Sequence, residues 1–210
     1  MVDKETVLDG YDQIAAVYNE QRSPTDVERR ALASFFDKLP PESRVLDAGC
    51  GGGKPILRTL TRQSHQAIGL DFSRQQLTLA QSNAPDAALL RGDMARLPLA
   101  NRTVDAAIAS HSLIHIPAVE HQTVLTEFAR VLRPSGRLLV TEGPDQWCGT
   151  NPDWLDTGTE MQWHIAGAEA TREQLMTAGF QIDAEHRIPE SLADGEEASW
   201  LLFEATCAKK

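Results

Sequence analysis

Residues 45–53 are VLDAGCGGG, and this stretch decides the fold. An apolar run that stops at a carboxylate and a tight glycine cluster predicts a buried strand turning into a helix, with a backbone bare enough for a ligand to touch. A second apolar run, residues 67–70, ends in Asp71 about 20 residues downstream, where a ribose-binding carboxylate is expected. One carboxylate can accept hydrogen bonds from both ribose hydroxyls. The front half of the chain is therefore predicted to bind a nucleoside.

The glycine spacing discriminates between nucleoside ligands. A dinucleotide fingerprint needs a third glycine at position 54, which is Lys54 here. A phosphate-binding P-loop needs a glycine at position 48 and a hydroxyl residue at position 55, which are Ala48 and Pro55. Both phosphate-binding interpretations are therefore disfavoured. The acid-x-Gly-x-Gly-x-Gly spacing of residues 47–53 instead resembles the first motif of the class I S-adenosylmethionine-dependent methyltransferases, in their small-molecule, methyltransferase type 11-like branch.

The resemblance continues in order over residues 11–142. Residues 71–73 are similar to the motif whose acid holds the ribose, and residues 91–94 to the segment that meets the adenine. Residues 104–111 resemble the strand beneath the methionine part, and residues 132–140 resemble the helix exit and fifth strand of that branch. The resemblance implies S-adenosyl-L-methionine as the cofactor. The expected cofactor-binding residues are Tyr18, Arg22, Asp47, Gly49, Cys50, Gly51, Asp71, Phe72, Asp93, Met94, Ser110 and His115.

Apolar runs and helical segments alternate along the chain, which predicts an α/β fold. The expected architecture is a Rossmann-like doubly wound sheet of seven strands, mostly parallel, with an antiparallel hairpin at its C-terminal edge. The acidic stretch at residues 193–196 is too short to hold a crossover helix, which favours that hairpin. A helix is predicted from Pro117, with Leu125, Phe128 and Leu132 on one face. Strands are predicted near residues 44–49, 66–71, 87–92, 103–110, 136–142, 180–188 and 199–208.

A single methyltransferase domain is expected, because 210 residues can bury about 70% of the unfolded surface in one core. It divides into an N-terminal helical cap (1–38), a cofactor-binding core (39–142), a lid or substrate loop (143–170), and a C-terminal helix with the edge hairpin (171–210).

The N-terminal cap contains two candidates for the cofactor's methionine carboxylate, Tyr18 and Arg22. The alternative is that Tyr11, Ile14 and Tyr18 form an apolar stripe that packs the helix onto the sheet. Both interpretations can hold for one helix.

The lid segment contains Trp147, Trp154 and Trp163, which are three of the four tryptophans in the chain. Aromatic residues concentrated in a long polar connection favour a pocket wall. Residues 161–164 also resemble a short motif of some small-molecule methyltransferases. The predicted substrate-binding residues are Trp147, Trp163 and His164. The alternative is that the tryptophans only anchor the segment.

Three histidines are candidate catalytic residues: His111, His115 and His164. A neutral imidazole can accept a proton from a hydroxyl or a protonated amine near pH 7. A histidine that only hydrogen-bonds the cofactor is an equally good interpretation. No metal is predicted, because the i, i+4 spacing of His111 and His115 lacks an intervening glutamate and a third ligand. The remaining histidines, His65, His121 and His186, are assigned to the surface.

The acceptor is predicted to be a small organic molecule, with a methyl group transferred by in-line displacement. Residues 110–113 lack the Asn/Asp-Pro-Pro-Tyr pattern of the adenine and glutamine amino-methylating branches. Arsenite transfer would want clustered thiols, whereas Cys50, Cys148 and Cys207 are far apart in sequence. The acceptor molecule, the acceptor atom and the need for a general base are left open, because a sulfonium is already an activated leaving group.

Other functions stay open as alternatives: a transfer RNA or protein methyltransferase, a non-catalytic S-adenosylmethionine-binding module, and a nicotinamide oxidoreductase. The net charge of −10 disfavours a nucleic acid partner. No apolar run approaches the roughly 20 residues that a bilayer requires, and the first residues are not typical of a signal peptide. A cytoplasmic protein without a membrane partner is expected. The oligomeric state is open.

Overall fold

The computed structural model describes residues 2–190, 192 and 199–208. Its helices are α1 (Lys4–Gln21), α2 (Asp26–Asp37), α3 (Ile56–Arg62), α4 (Arg74–Asn83), α5 (Ala118–Val131) and α6 (Ala168–Thr177). Its strands are β1 (Arg44–Ala48), β2 (Gln66–Asp71), β3 (Ala88–Arg91), β4 (Val104–Ala109), β5 (Leu132–Glu142), β6 (Trp147–Asn151), β7 (Met161–Ile165), β8 (Phe180–Pro189) and β9 (Ser199–Cys207). No helix among these residues is both long and apolar enough to cross a bilayer.

Seven strands form one sheet in the order β3-β2-β1-β4-β5-β9-β8. Strands β1 to β5 run parallel, and β9 pairs antiparallel with both β5 and β8. This confirms the predicted doubly wound fold and its C-terminal antiparallel hairpin. The acidic stretch 193–196, on which part of that prediction rested, lies outside the described residues.

The sheet has an apolar core on each face, because successive side chains of a strand point to opposite sides. Val45 packs with Phe35 of α2 and Leu57 of α3, whereas the next residue, Leu46, packs on the other face with Phe128 of α5. Strands buried on both faces are near-continuous apolar runs, which is why the apolar runs in the sequence located them correctly. The central strands therefore hold the glycine loop on a rigid platform.

Two elements differ from the sequence prediction. Strand β5 begins at Leu132 rather than near residue 136, because Leu132 pairs with Val104 ahead of an irregularity in the β4–β5 register. The segment 143–170 is not only a loop, since β6 and β7 form a separate two-stranded antiparallel sheet. In β7 the alternate residues Met161 and Trp163 are buried, and this alternation is the pattern of a half-buried strand.

Helix α1 packs against this small hairpin. Buried Val7 and Ile14 of α1 form one apolar cluster with Met161 and Trp163 of β7. Gly10 allows the close approach, since a Cβ atom there would lie 2.9 Å from the carbonyl oxygen of Glu160. Helix α1 and the β6–β7 hairpin thus form one continuous layer at the carboxyl ends of the parallel strands, where ligands bind in open α/β sheets.

Candidate functional site

The glycine loop after β1 touches the neighbouring strand through its backbone. The amides of Gly49 and Cys50 donate to the carbonyl oxygen of Leu70, at 2.7 and 3.0 Å. Gly49 has φ +77°, and a Cβ atom on it would lie 2.3 Å from Cβ of Ser112. Both the backbone conformation and the lack of space require glycine at this position.

Asp71 at the end of β2 is held by the same loop. Its Oδ2 accepts from the amide of Gly51 and its Oδ1 from the amide of Ser73, both at 2.9 Å. Burial raises the pKa of Asp71 to about 6, against the opposing effect of these backbone hydrogen bonds. Each carboxylate oxygen keeps further lone-pair capacity for ligand hydroxyls.

Asp71 lies in the wall of a cavity of about 200 Å³, here called the Asp71 cavity. Nine of the predicted cofactor-binding residues line it: Tyr18, Gly49, Gly51, Asp71, Phe72, Asp93, Met94, Ser110 and His115. A second, smaller cavity of about 60 Å³, the Asp47 cavity, is lined by the other three predicted residues, Arg22, Asp47 and Cys50. Tyr18, Gly49, Gly51 and Ser110 border both cavities.

Asp47 at the end of β1 is a buried carboxyl group with an unsatisfied atom. Its Oδ1 has no hydrogen-bond partner among the described residues, and its side chain is almost completely buried. Burial, and next the charge of Asp71, raise the pKa of Asp47 to about 8. A buried carboxyl group of this kind is stabilised in its charged form by a donor or a cation that enters the cavity.

The Asp47 cavity also contains a buried ion pair that the sequence prediction missed. Nη2 of Arg22 donates to both carboxylate oxygens of Glu28 in α2, at 2.7 and 2.9 Å. Burial opposes ionisation of Glu28, but hydrogen bonds and charge from His111 and Arg22 together lower its pKa to about 2. One feature of the sequence could have predicted the burial of Glu28. At helical spacing it lies on the apolar face of α2, with Leu32 and Phe35.

At the other end of the Asp71 cavity, Asp93 is already hydrogen-bonded. Its Oδ1 caps a short helical turn by accepting from the amide of Ala95 at 2.8 Å, and its Oδ2 lies 2.7 Å from Nζ of Lys4. Lys4 also donates to Glu120 of α5. Sequence reasoning missed Lys4 because nothing local links residue 4 to residues 93 and 120. It also missed Gln76, a buried amide in the cavity wall whose side-chain oxygen and nitrogen have no partner among the described residues.

His115 is buried, and both its ring nitrogens have partners. Nδ1 lies 2.9 Å from the carbonyl oxygen of Gln162, so Nδ1 must donate. Nε2 then accepts from the hydroxyl of Tyr11, also at 2.9 Å. Burial lowers the pKa of His115 to about 4, so the ring is neutral near pH 7. This arrangement positions Tyr11 and leaves no lone pair on His115 for a substrate proton.

His111 follows β4 and lies where the cavities meet. Its backbone has φ +52°, an uncommon conformation for a residue with a side chain. Nε2 lies 3.5 Å from Oε1 of Glu28, and the ring packs edge-on against Trp200 at a centroid distance of 5.3 Å. Together with Tyr18, it lines the Asp71 cavity, the Asp47 cavity and a third cavity described next.

The third cavity has a volume of about 700 Å³ and is here called the tryptophan cavity. Trp147, Trp154, Trp163 and Trp200 all line it, so every tryptophan in the chain contributes to one cavity. Tyr11, Tyr18, His111 and His115 separate it from the Asp71 cavity. The structure thus brings two of the three predicted substrate-binding residues, Trp147 and Trp163, into the same wall.

The third predicted substrate-binding residue, His164, lies on the opposite face of β7. Its ring is 6.3 Å from the ring of His121 in α5. The assignment of His121 to the surface was wrong, because this side chain is fully buried and its Nε2 lies 2.9 Å from the carbonyl oxygen of Ile116. The spacing of residues 121, 124, 125 and 128 places it on the buried face of α5.

Residues 45–136 match a family model described as a methyltransferase domain. An O-methyltransferase of Aspergillus nomiae is 36% identical over 105 residues, which cover 47% of this chain and 46% of that protein. The chain spans about half the length of the curated relatives it matches.

Solved structures share the fold over nearly the whole chain. The Burkholderia thailandensis 1,6-didemethyltoxoflavin-N1-methyltransferase, solved with 1,6-didemethyltoxoflavin and S-adenosylhomocysteine, has a TM-score of 0.74 at 19% identity, over 98% of this chain and 87% of that one. The [4+2]-cyclase SpnF has a TM-score of 0.75 at 22% identity, over 97% and 96%. At these identities the likeness shows the fold alone, and it does not fix the reaction.

The matched domain contains the glycine loop, Asp71 and Asp93, and its fold is the one predicted from these residues. Residues 45–136 therefore form a methyltransferase domain of the class I, S-adenosylmethionine-dependent type, and the family and cofactor class predicted from residues 47–53 are confirmed for this domain.

Proposed function

We propose that this protein transfers a methyl group from S-adenosylmethionine to a hydroxyl group of a small organic acceptor held in the tryptophan cavity. The observation that carries this proposal is that Tyr18 and His111 line all three cavities. The two ends of the cofactor site and the acceptor cavity meet at these two side chains. A methyl group on the cofactor's sulfur would lie at this junction, within reach of an acceptor atom.

The residues present fit the cofactor on independent grounds. The Asp47 carboxyl group is buried with an unpartnered oxygen, which matches the ammonium group of the methionine part. The Asp71 carboxylate has lone pairs for the ribose hydroxyls, and Met94 and Ile116 offer apolar surface to the adenine. Asp93, next to that surface, would bind the adenine amino group. When bound, S-adenosylmethionine supplies a methyl carbon whose bond to sulfur breaks as the bond to the acceptor oxygen forms, and sulfur keeps the electron pair.

His111 is proposed as the general base. Glu28 lies 3.5 Å from Nε2 and would hold the proton on that nitrogen, which leaves Nδ1 to accept the proton from the acceptor hydroxyl. Arg22 fixes Glu28 through two hydrogen bonds, so Glu28 and Arg22 are positioning residues. The left-handed backbone of His111 fits this role, since strained conformations cluster at functional sites.

His115 and Tyr11 are proposed to orient the acceptor rather than to take its proton. The Tyr11 hydroxyl group is fixed by its bond to His115 and faces the boundary between the Asp71 and tryptophan cavities.

The division of the domain into a helical cap (1–38), a cofactor core (39–142), a lid (143–170) and a C-terminal part (171–210) belongs to the same proposal. The cap and the lid would exclude water from the reacting atoms.

A small acceptor is favoured over an RNA or a protein. The net charge of −10 opposes a phosphate backbone, and the tryptophan cavity is a concave site, lined by all four tryptophans, of the size that small ligands use. The Aspergillus nomiae relative is named an O-methyltransferase, which supports a hydroxyl acceptor. We also propose a cytoplasmic location, because the three cysteines form no disulfide.

The test is formation of S-adenosylhomocysteine and methylated product, measured by mass spectrometry with a panel of phenols and alcohols. His111→Gln keeps a polar side chain but removes the base, and we expect transfer to fall about 100-fold while cofactor affinity changes little. His65→Gln, at a half-buried position before β2 that lines none of the three cavities, is the matched control. Cofactor binding without transfer to any hydroxyl acceptor would contradict the proposed reaction and favour a non-catalytic binding module.

A further inference from the structure

Four tryptophans, two tyrosines and two histidines contribute rings to the wall of the tryptophan cavity. Trp163 lies at its centre, 4.8 Å from the ring of Trp154 and 6.2 Å from that of Trp147. On the other side, His115 packs 5.7 Å from Trp163 and 5.2 Å from Tyr11, whose ring is 5.2 Å from that of Tyr18. These rings form one connected series around the space.

The charged side chains that line this cavity are all negative. Asp145 and Glu190 line it, and no lysine or arginine does so among the described residues. Glu190 is fixed in the wall, because it accepts from the indole N–H of Trp200 and from the amide of Leu192 at 2.8 Å.

The nearest cations do not cancel this charge. Arg22 is within electrostatic reach of Glu190, but it forms a two-bond ion pair with Glu28, so these three groups carry a net negative charge. Arg187 donates to the hydroxyl of Ser199 at 2.6 Å, and its own side chain is exposed to solvent. The wall therefore combines aromatic rings with a net negative charge.

From these observations we propose that the acceptor carries a positive charge: it is a hydroxyl compound with an ammonium group, bound with that group against the tryptophan rings and Glu190. Ring faces attract cations, and Trp is the strongest of the aromatic side chains in this respect. A carboxylate or phosphate on the acceptor would be repelled by Asp145 and Glu190. The inference rests on the proposed function in taking this cavity as the acceptor site.

The cavity has room to separate the two ends of such a molecule. Its volume of about 700 Å³ exceeds that of a simple phenol. The ammonium group would lie against Glu190 and the tryptophan rings, and the hydroxyl group at His111, at the cofactor boundary. Nε1 of Trp154, which has no partner among the described residues, offers one further donor to the acceptor.

Because all four tryptophans line this cavity, intrinsic tryptophan fluorescence reports binding there without a label. Three phenols of matched shape serve as probes: tyramine, which is cationic, para-ethylphenol, which is neutral, and para-hydroxyphenylpropionate, which is anionic. With S-adenosylhomocysteine bound, we expect tyramine to bind at least about tenfold more tightly than the propionate, with para-ethylphenol between them. Equal or tighter binding of the propionate, or no tyramine binding at millimolar concentration, would overturn the proposal.

The variant Glu190→Gln removes the charge but keeps one side-chain oxygen, which can accept from either Trp200 or Leu192. We expect it to reduce the preference for tyramine over the propionate by about threefold or more. Glu173→Gln, the same change at an exposed position of α6, is the matched control and should leave the preference unchanged. An equal preference in both variants would contradict the role of Glu190. Should Glu190→Gln not fold, Trp147→Phe replaces it, since Trp147 is 49% exposed and its loss leaves the core intact.

Binding and transfer separate this inference from the proposed function. A preference for tyramine without methylation of its hydroxyl group would refute the proposed reaction and support the charge selectivity. Methylation of all three phenols with equal affinity would support the reaction and refute the charge selectivity.

Discussion

The hydroxyl of Tyr11 lies 2.9 Å from Nε2 of His115, and this bond ties α1 to the end of β4 across the boundary of two cavities. Since Nδ1 of His115 donates to the Gln162 carbonyl, the same imidazole also joins the β6–β7 hairpin to the sheet. One side chain thus connects the three parts of the chain that surround the acceptor cavity.

Tyr11→Phe keeps the ring contacts and leaves Nε2 of His115 without its donor. We expect a loss of about 1 to 2 kcal/mol in the free energy of unfolding, because a buried acceptor loses its hydrogen bond. Urea denaturation followed by far-UV circular dichroism measures this loss. A stability equal to that of the unmodified protein would mean that water replaces the Tyr11 hydroxyl.

The matched variants Gly49→Ala and Gly158→Ala separate the free-energy cost of a positive φ from the cost of a steric clash. Both glycines have positive φ, +77° and +70°, but a Cβ atom at Gly158 meets nothing within 4 Å, whereas one at Gly49 lies 2.3 Å from Ser112. Gly158→Ala should cost about 1 to 2 kcal/mol for the backbone alone. Gly49→Ala should cost more than this and also abolish cofactor binding. Equal costs, measured by chemical denaturation, would show that the loop relaxes around the added methyl group.

Asp71→Ala should weaken S-adenosylmethionine binding at least about tenfold in titration calorimetry, since the ribose hydroxyls lose a charged acceptor. The fold should persist, because water that enters the cavity can accept from the amides of Gly51 and Ser73 in place of Asp71. Asp86→Ala, at an exposed position before β3, is the control. Unchanged affinity in Asp71→Ala would remove this residue from the ribose site.

Asp47, with its pKa raised by burial to about 8, should make both stability and cofactor binding depend on pH. A carboxyl group with a raised folded pKa binds its proton more tightly in the folded state, so the stability it contributes is fully present below its unfolded pKa of about 3.9 and is lost as pH rises through about 8. Binding of the cofactor's ammonium group favours the charged form. Cofactor affinity should therefore rise with pH from 6 to 8, with release of a proton.

The proton release is measurable by calorimetry in buffers of different ionisation enthalpy. Asp47→Asn should abolish most of this release, whereas Asp86→Asn should not change it. A proton release that persists in Asp47→Asn would assign it to another group, with Asp71 the next candidate because its pKa is also raised, to about 6.

The sequence was sufficient for the sheet and for a set of predicted cofactor-binding residues that line two adjoining cavities, because both depend on local patterns. Strands β1, β2 and β4 are apolar runs buried on both faces. The glycine loop is a contiguous motif, and the identities of Lys54 and Pro55 after it disfavoured the two phosphate-binding interpretations. A local pattern also predicted α5. The helix was expected to start at Pro117, and it is observed at Ala118–Val131.

The residues that were missed or misplaced depend on contacts between distant segments. Lys4 meets Asp93 and Glu120 only after α1 folds over the sheet, and Glu28 is buried only because Arg22 and His111 approach it. His121 was placed at the surface because a histidine in a helix gives no periodic signal of its own, although its neighbours Val124 and Phe128 do. Charged and amphipathic side chains are buried by their partners, which no local pattern identifies.

The close approach at Gly10 has a kinetic consequence. Because α1 and the β6–β7 hairpin touch along one seam, with the amide of Asp3 also donating to the Gln162 side chain at 2.7 Å, they form a single roof that borders the Asp71 cavity and the tryptophan cavity. Ligands of the two cavities would then exchange through the same opening event, and we expect Gly10→Ala, which loosens the seam, to raise the release rates of S-adenosylhomocysteine and of the methylated product together. A change in only one of the two rates would show that the seam opens on each side independently.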